Sequence, residues 1–439
     1  MKIGIVSLGC CKNLVDSQKA MSFLQASGHT FVDNPKNAEV ILINTCGFIN
    51  DAKQESIDTI LQMADYKNNK LKYLIVMGCL VQRYREELEK ELPEVDLFIT
   101  IDEYNDLENI LNNFLNSKTV KEKKVVLATN NHSAYLKIAD GCSNKCAYCA
   151  IPLIRKEYRS IKIEELIKQA KKLEEIGVKE LNLIAQDTTR YGIDLYGKYR
   201  LADLLYELNK MDFTWIRILY MYPDEINDEL LEAMAICDKV VPYFDIPIQH
   251  ANDRILKLMN RRGNKKNLVE IVNKIREKFE NPILRTTIIV GFPTETAEEF
   301  QELLEFIKEI RWNKLGAFTY SLEEDTASYD MEPKVEEKVA NKRLEKLMLI
   351  QEKIAQSNNE TYVGKTLDVL VEGRDALDKK LYQGRSYANA PDGIDGHVRF
   401  TSSKDIEIGE FVSVKIESVN VHDLFGKEVT HDLFGKEVI

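Results

Sequence analysis

No apolar run in this 439-residue chain is long enough to cross a bilayer, and its opening stretch, MKIGIVSLGCCKN, lacks a basic n-region, a long apolar h-region and a small-residue cleavage site. The expected address is the cytoplasm. Cysteine is scarce as well. Eight thiols, unevenly spaced, do not make the disulfide framework of a small secreted protein, and in a reducing compartment clustered thiols point to metal or catalysis. Basic residues are outnumbered, with 60 Lys and Arg against 71 Asp and Glu and a formal net charge of −11, which argues against a surface that grips a polyanion throughout. No general base stands out. What remains is 44% apolar and 30% charged residues, a globular composition with length for several domains.

Residues 1–116 alternate short apolar runs (KIGIVSLG, AEVILINT, KYLIVMG, VDLFIT) with helical patterns, which predicts βα units on a parallel sheet. Cys10, Cys46 and Cys79 each follow one of the first three runs. In such sheets ligands bind at the carboxyl ends of the strands, so these thiols are expected to converge on one edge, as a shared metal site or as three small buried hydrophobes. Residues 117–133 are polar and charge-rich, a connector. Six further candidate strands follow over 134–332: AYLKIADG, KELNLIAQDT, WIRILYMYP, YFDIPIQH, LRTTIIVGFP and KLGAFTYSLEE. Six βα units predict an open, partial version of the eight-fold barrel, with its chemistry at the carboxyl ends of the strands. Residues 333–360 read as an amphipathic linker helix. Residues 361–439 alternate as in a small five-stranded β-barrel, with HDLFGKEV repeated at 422–429 and 431–438, a duplication to which no function is attached.

After the first barrel strand stands DGCSNKCAYC, with Cys142, Cys146 and Cys149 inside eight residues and no obvious fourth ligand. His132 is ten residues upstream, and Cys237 lies in a helical pattern where a core role is expected. A closed zinc site wants four ligands. Three thiolates on a four-iron cubane instead leave one iron open, where a small molecule can chelate; a three-Cys zinc site completed by a distant residue is the alternative.

The Cys-x3-Cys-x2-Cys spacing, with Tyr148 before the last cysteine and a partial barrel behind it, resembles the radical S-adenosylmethionine (SAM) enzymes. That resemblance implies that SAM chelates the open iron through its amino and carboxylate groups, and that an electron from the cluster splits it to a 5′-deoxyadenosyl radical. The three-cysteine N-terminal domain and a C-terminal barrel similar to a TRAM domain narrow the likeness to the methylthiotransferases. GCCKN, NTCGFI and MGCLVQR match that family's first-cluster motifs, although Cys11 stands where the family usually has another small residue. The family likeness implies two 4Fe-4S clusters, one held by Cys10, Cys46 and Cys79 and one by Cys142, Cys146 and Cys149. It also implies SAM as cofactor and an electron donor such as flavodoxin or ferredoxin.

Members act on a tRNA adenosine or on an aspartate β-carbon of the small-subunit ribosomal protein numbered twelve. NTCGFINDAKQESIDTIL, LIAQDTTRYGIDLYG and YFDIPIQHANDRILKLMNRRG look like the ribosomal-protein branch. Residues 360–439 hold ten Lys and Arg against fifteen Asp and Glu, an acidic balance that suits a basic protein better than naked RNA. Nucleic acid is the alternative partner. Lesser candidates for SAM contacts are Gln186 and Asp187 at the end of the second barrel strand, and Gly291 and Glu295 in GFPTET after the fifth. That turn also reads as an ordinary strand-to-helix junction with Thr296 and Glu299 as a capping box. His250 is expected either to reach substrate or to be a satisfied core histidine.

Overall fold

Near-continuous apolar runs are what a parallel strand needs when both faces are buried. In the computed structural model, which describes residues 1–376, 378–431 and 437–438, they become two parallel systems. The first is a five-stranded sheet in the order β2-β1-β3-β4-β5, from β1 (Lys2–Ser7), β2 (Thr30–Phe31), β3 (Val40–Thr45), β4 (Tyr73–Gly78) and β5 (Leu97–Ile99). β3 and β4 are buried along nearly their whole length. The short edge strand β2 carries no apolar run, and it left no trace in the sequence pattern.

The second system begins with β6 (Ser133–Lys137). The chain then turns aside into a two-residue antiparallel hairpin of β7 (Ala139–Asp140) with β8 (Arg159–Ser160), so AYLKIADG is not one straight strand. The cysteine loop hangs from this hairpin. β9 (Glu180–Ile184) and β10 (Trp215–Ile218) extend the sheet in the order β10-β9-β6, and β11 (Tyr243–Asp245), β12 (Ile283–Val290) and β13 (Lys314–Thr319) form the sheet β11-β12-β13. A parallel bridge, Ile216 to Val240, joins the halves into an open, six-strand barrel wall.

A 24-residue helix, Glu337–Glu360, leads away from it. Near its start Arg343 donates to the Glu295 carbonyl at 3.1 Å; Gln351 donates to the Trp312 carbonyl at 3.0 Å; near its end Asn359 donates to the carbonyls of Asn420 and Val421 at 3.1 and 3.0 Å. Beyond it β14 (Thr366–Arg374), β15 (Tyr382–Arg385), β16 (Val398–Thr401), β17 (Phe411–Val419) and β18 (Leu424–Glu428) close a barrel in the order β14-β15-β16-β18-β17. The first HDLFGKEV copy supplies β18; the second lies largely outside the described residues. Among the described residues no helix is long and apolar enough to cross a membrane.

The small barrel docks on the amino-terminal end of the large one through a buried ion triad. Glu180, the first residue of β9, accepts from Arg217 Nε at 3.0 Å and from Arg385 Nη2 of β15 at 2.5 Å, and all three side chains are inaccessible to solvent. Burial pushes the Glu180 carboxyl up, but Arg385 and Arg217 outweigh it and hold the group down at about 2 against an ordinary 4.5. A depressed folded pKa contributes stability that is fully present above the unfolded value and is lost as pH falls through the folded one. The contribution, on the order of 3 kcal/mol at 1.4 per unit, therefore disappears between about pH 4.5 and 2. Denaturation midpoints should fall across that window, and Glu180→Gln should flatten the fall. An unchanged slope in the variant would assign the acid sensitivity elsewhere.

Candidate cluster loops and cofactor site

The first three cysteines lie where strands of the N-terminal sheet end and helices begin. Cys10 is the N-cap of helix Cys11–Ala26, and Cys79 is the first residue of helix Cys79–Glu91. Helix N-termini favour negative charge, which suits thiolates. The loops are pressed together: a Cβ on Gly9 would fall 3.0 Å from Cys46 Sγ, and one on Gly47 would fall 2.8 Å from the Leu80 backbone nitrogen. One buried side chain ties all three. Asn13 Nδ2 donates to the carbonyls of Leu8 and Thr45, both at 3.0 Å, while its Oδ1 accepts from Cys79 Sγ at 3.5 Å. Ser56 locks the Cys46 loop, accepting from its N–H and donating to its carbonyl.

Burial pushes the Cys46 thiol up and the Cys79 thiol up to about 12, and the charge on Cys10 pushes both in the same direction. Cys11 instead faces the other domain, its Sγ 3.4 Å from the Tyr220 hydroxyl, with Lys12 Nζ 3.0 Å above that ring. Of the vicinal pair, Cys10 is the thiol whose charge acts on both Cys46 and Cys79.

The second triad stands on the loop after β7. Its backbone is held from several sides: Cys142 N–H donates to the Lys156 carbonyl at 3.0 Å, Ala147 N–H to the Met259 carbonyl at 2.9 Å, and Asn260 Nδ2 to the Lys145 carbonyl at 2.7 Å. Tyr148 packs against the apolar group of Ala147, Ile255, Met259 and Phe292. Burial pushes the Cys142 thiol up to about 11 and raises Cys149 further. Buried thiols of this kind hold their protons until a metal displaces them.

Each triad also has a guanidinium on one sulfur: Arg261 Nη1 lies 3.8 Å from Cys146 Sγ, and Arg155 Nη2 lies 3.7 Å from Cys79 Sγ. Three soft sulfurs beside one fixed cation form a donor set that suits an anionic iron-sulfur cluster and not a hard oxygen-seeking ion. Among the described residues no three His, Cys, Asp or Glu side chains stand close enough to hold a single metal ion, so both ligand assignments rest on where the fold puts the loops.

Polar groups without partners surround the second loop. Gln186 donates to Asp140 at 3.4 Å and leaves its buried Oε1 unpaired; Glu225, held by Arg190 and Arg262, leaves Oε2 unpaired. Arg262 reaches Asn144 of the cysteine loop at 3.1 Å. Orphaned buried acceptors of this kind fit a ligand with an ammonium group and hydroxyls.

Asp187 is occupied within the protein, accepting from Asn144 at 2.7 Å and from Thr189 at 2.6 Å, and burial raises its pKa. Glu295 folds its Oε2 back onto the N–H groups of Gly291 and Phe292. Its Oε1 lies 3.9 Å from His250 Nε2, and both atoms lack hydrogen-bond partners. His250 is fully buried, with Nδ1 accepting from the Asn252 N–H at 3.0 Å. Gly291 has φ +74°, and a Cβ there would fall 2.6 Å from Ala340 Cβ of the linker helix, so the close approach it permits is to that helix. Cys237 packs in the barrel core, and His132 Nε2 lies 3.5 Å from Glu372 of the small barrel.

Sequence reasoning passed over Arg155, Arg261 and Tyr222, whose hydroxyl is 3.9 Å from Cys146 Sγ. A lone cation inside the apolar run AIPLIR was the available signal for Arg155, and the paired arginines of MNRRG for Arg261.

Three family models match successive parts of the chain: "Uncharacterized protein family UPF0004" over residues 2–100, the radical SAM superfamily over 136–307 and the TRAM domain over 363–429. A curated relative from Clostridium botulinum, "Ribosomal protein uS12 methylthiotransferase RimO", is 48% identical over 97% of each chain. One of the same name from Caldicellulosiruptor saccharolyticus is 46% identical over 98% of this chain and all of that one. The chain belongs to the RimO family of methylthiotransferases. A RimO-family chain with this central domain is a radical SAM methylthiotransferase.

The fold of this RimO-family chain recurs in solved structures. The radical SAM methyltransferase TsrM from Kitasatospora setae, solved with cobalamin and a [4Fe-4S] cluster bound, superposes with a TM-score of 0.57 over 75% of this chain and 77% of that one at 10% identity. The cobalamin-dependent enzyme OxsB, with aqua-cobalamin and SAM bound, gives 0.51 over 80% and 56% at 11% identity.

Proposed function

We propose that this chain places a methylthio group on the β-carbon of an aspartate in ribosomal protein uS12, using two 4Fe-4S clusters. The observation that carries the reading is near-full-length identity of 48% to a protein of that name. Cys10, Cys46 and Cys79 hold the first cluster, and Cys142, Cys146 and Cys149 hold the second. The three units fall at residues 1–116, 134–332 and 361–439, joined by 117–133 and 333–360. When bound, the second cluster and SAM supply a radical able to break an unactivated C–H bond, which no side chain is basic enough to deprotonate in water.

The protein's own part is placement. Tyr148 and its apolar neighbours keep water from one side of the second loop. Gln186 Oε1 and Glu225 Oε2 offer acceptors to the ammonium and hydroxyl groups of SAM. Asp187, through Asn144, sets the cysteine loop against the end of β9, and Glu295 shapes the turn at Gly291. His250 is enclosed behind that turn and supports it. The chemistry belongs in the cytoplasm, with flavodoxin or ferredoxin as the electron donor.

The acidic C-terminal barrel supports a basic protein partner, and the test pits that partner against RNA. Reconstituted protein, SAM, a sulfide source and a reductant are incubated with uS12 or with tRNA, and each is weighed by mass spectrometry. Added methylthio mass on the aspartate peptide of uS12 is expected; product on tRNA alone would overturn the assignment.

A further inference from the structure

Arg155 touches both cysteine systems at once. It ends the short helix Ile151–Arg155, six residues after Cys149, and its side chain is 1% exposed. Nη1 donates to both carboxylate oxygens of Asp140 at 3.1 Å, two residues before Cys142. Nη2 reaches into the other domain, to Asn13 Oδ1 at 2.7 Å, Asp16 Oδ2 at 2.9 Å and Cys79 Sγ at 3.7 Å. Lys137 completes the group, with Nζ 2.5 Å from Asp16 and 2.9 Å from Asp140. Two cations and two anions thus alternate across the domain boundary, each paired, which is the condition under which buried charge is tolerated.

The backbone repeats the connection. A Cβ on Gly141 would run into the Glu157 carbonyl oxygen and fall 2.8 Å from that of Arg155, so the residue before Cys142 is pressed against the backbone that carries Arg155. A planar guanidinium with forked donors can hold several acceptors in fixed directions; an ammonium cannot.

We infer that Arg155 is a positioning residue shared by the two iron-sulfur sites: it fixes the Cys142 loop against the Cys79 loop and, by its N–H and charge on Cys79 sulfur, raises the reduction potential of the first cluster. The inference rests on the two-cluster reading above. Its physical basis is that a donor on a ligating sulfur stabilises the extra negative charge of the reduced cluster more than that of the oxidised one.

The test is an EPR-monitored redox titration of the reconstituted full-length protein, wild type against Arg155→Gln and Arg155→Lys. Eight irons and two titrating signals in the wild type test the two-cluster reading by themselves; four irons would remove that reading before any variant is compared. Given two signals, Arg155→Gln is expected to shift the first-cluster potential to more negative values while the second cluster stays within error of wild type. Arg155→Lys keeps the charge and loses the fork, and should shift it in the same direction by less. It also carries the test if two carboxylates left to share Lys137 alone prevent the Gln variant from folding. Potentials unmoved in the folded variants, with only a lowered melting temperature, would reduce Arg155 to a structural residue and overturn the inference.

Discussion

Cys142→Ala is expected to abolish SAM cleavage, a fall of about a thousandfold or more, equivalent to about 4 kcal/mol of barrier; Cys46→Ala is expected to leave cleavage within a few-fold of wild type and to stop methylthio transfer. Cleavage is read as 5′-deoxyadenosine released under reducing conditions, and transfer as methylthio mass on uS12. The asymmetry follows from the architecture. Cys142 stands on the barrel loop beside the unpaired Gln186 and Glu225 acceptors, whereas Cys46 stands on the N-terminal sheet, where Ser56 holds its loop independently of the barrel. Each variant should lose about half of the iron. Equal loss of cleavage in both would contradict the division of roles between the two triads.

Glu180→Ala is expected to destabilise the protein by about 3–5 kcal/mol, the usual cost of removing one partner from a buried ion pair. The substitution takes the shared carboxylate from two fully buried guanidiniums, leaving Arg217 the Tyr387 carbonyl at 2.8 Å and Arg385 the Glu372 carboxylate at 2.8 Å and the Asn389 carbonyl at 3.2 Å. Chemical denaturation at neutral pH measures it. Glu180 opens β9, at the opposite end from Gln186 and Asp187, and in such barrels the amino-terminal face serves stability. SAM cleavage per folded molecule should therefore be unaltered. A variant as stable as the parent would show that the small barrel is held by its apolar contacts alone.

The parts legible in the sequence are those that leave a local pattern. The runs in β3, β4 and β9 are continuous because both faces are buried, whereas β12 alternates buried with half-buried residues and β13 has no fully buried residue. The cysteines were legible from their place after those runs. The polar lattice between the triads was not, because the Asn13 to Arg155 contact spans 142 residues and has no period. Gly291 was noticed for a reason that concerned SAM, while its missing Cβ makes room for Ala340. The two-residue hairpin that turns the chain toward Cys142 is too short to bias composition, and it emerges only once Asp140 meets Arg155 and Lys137.

The helix from Glu337 to Glu360 carries a constraint on how this architecture can change. At about 1.5 Å per residue it is a rod about 36 Å long, and its two ends are read by different modules. Inserting a single residue would rotate everything beyond it by about 100°. Either Ala340 would leave the hollow at Gly291 or Asn359 would turn away from the carbonyls of Asn420 and Val421. Its residue count therefore works as a ruler that sets the gauge between the turn at Gly291 and the small barrel.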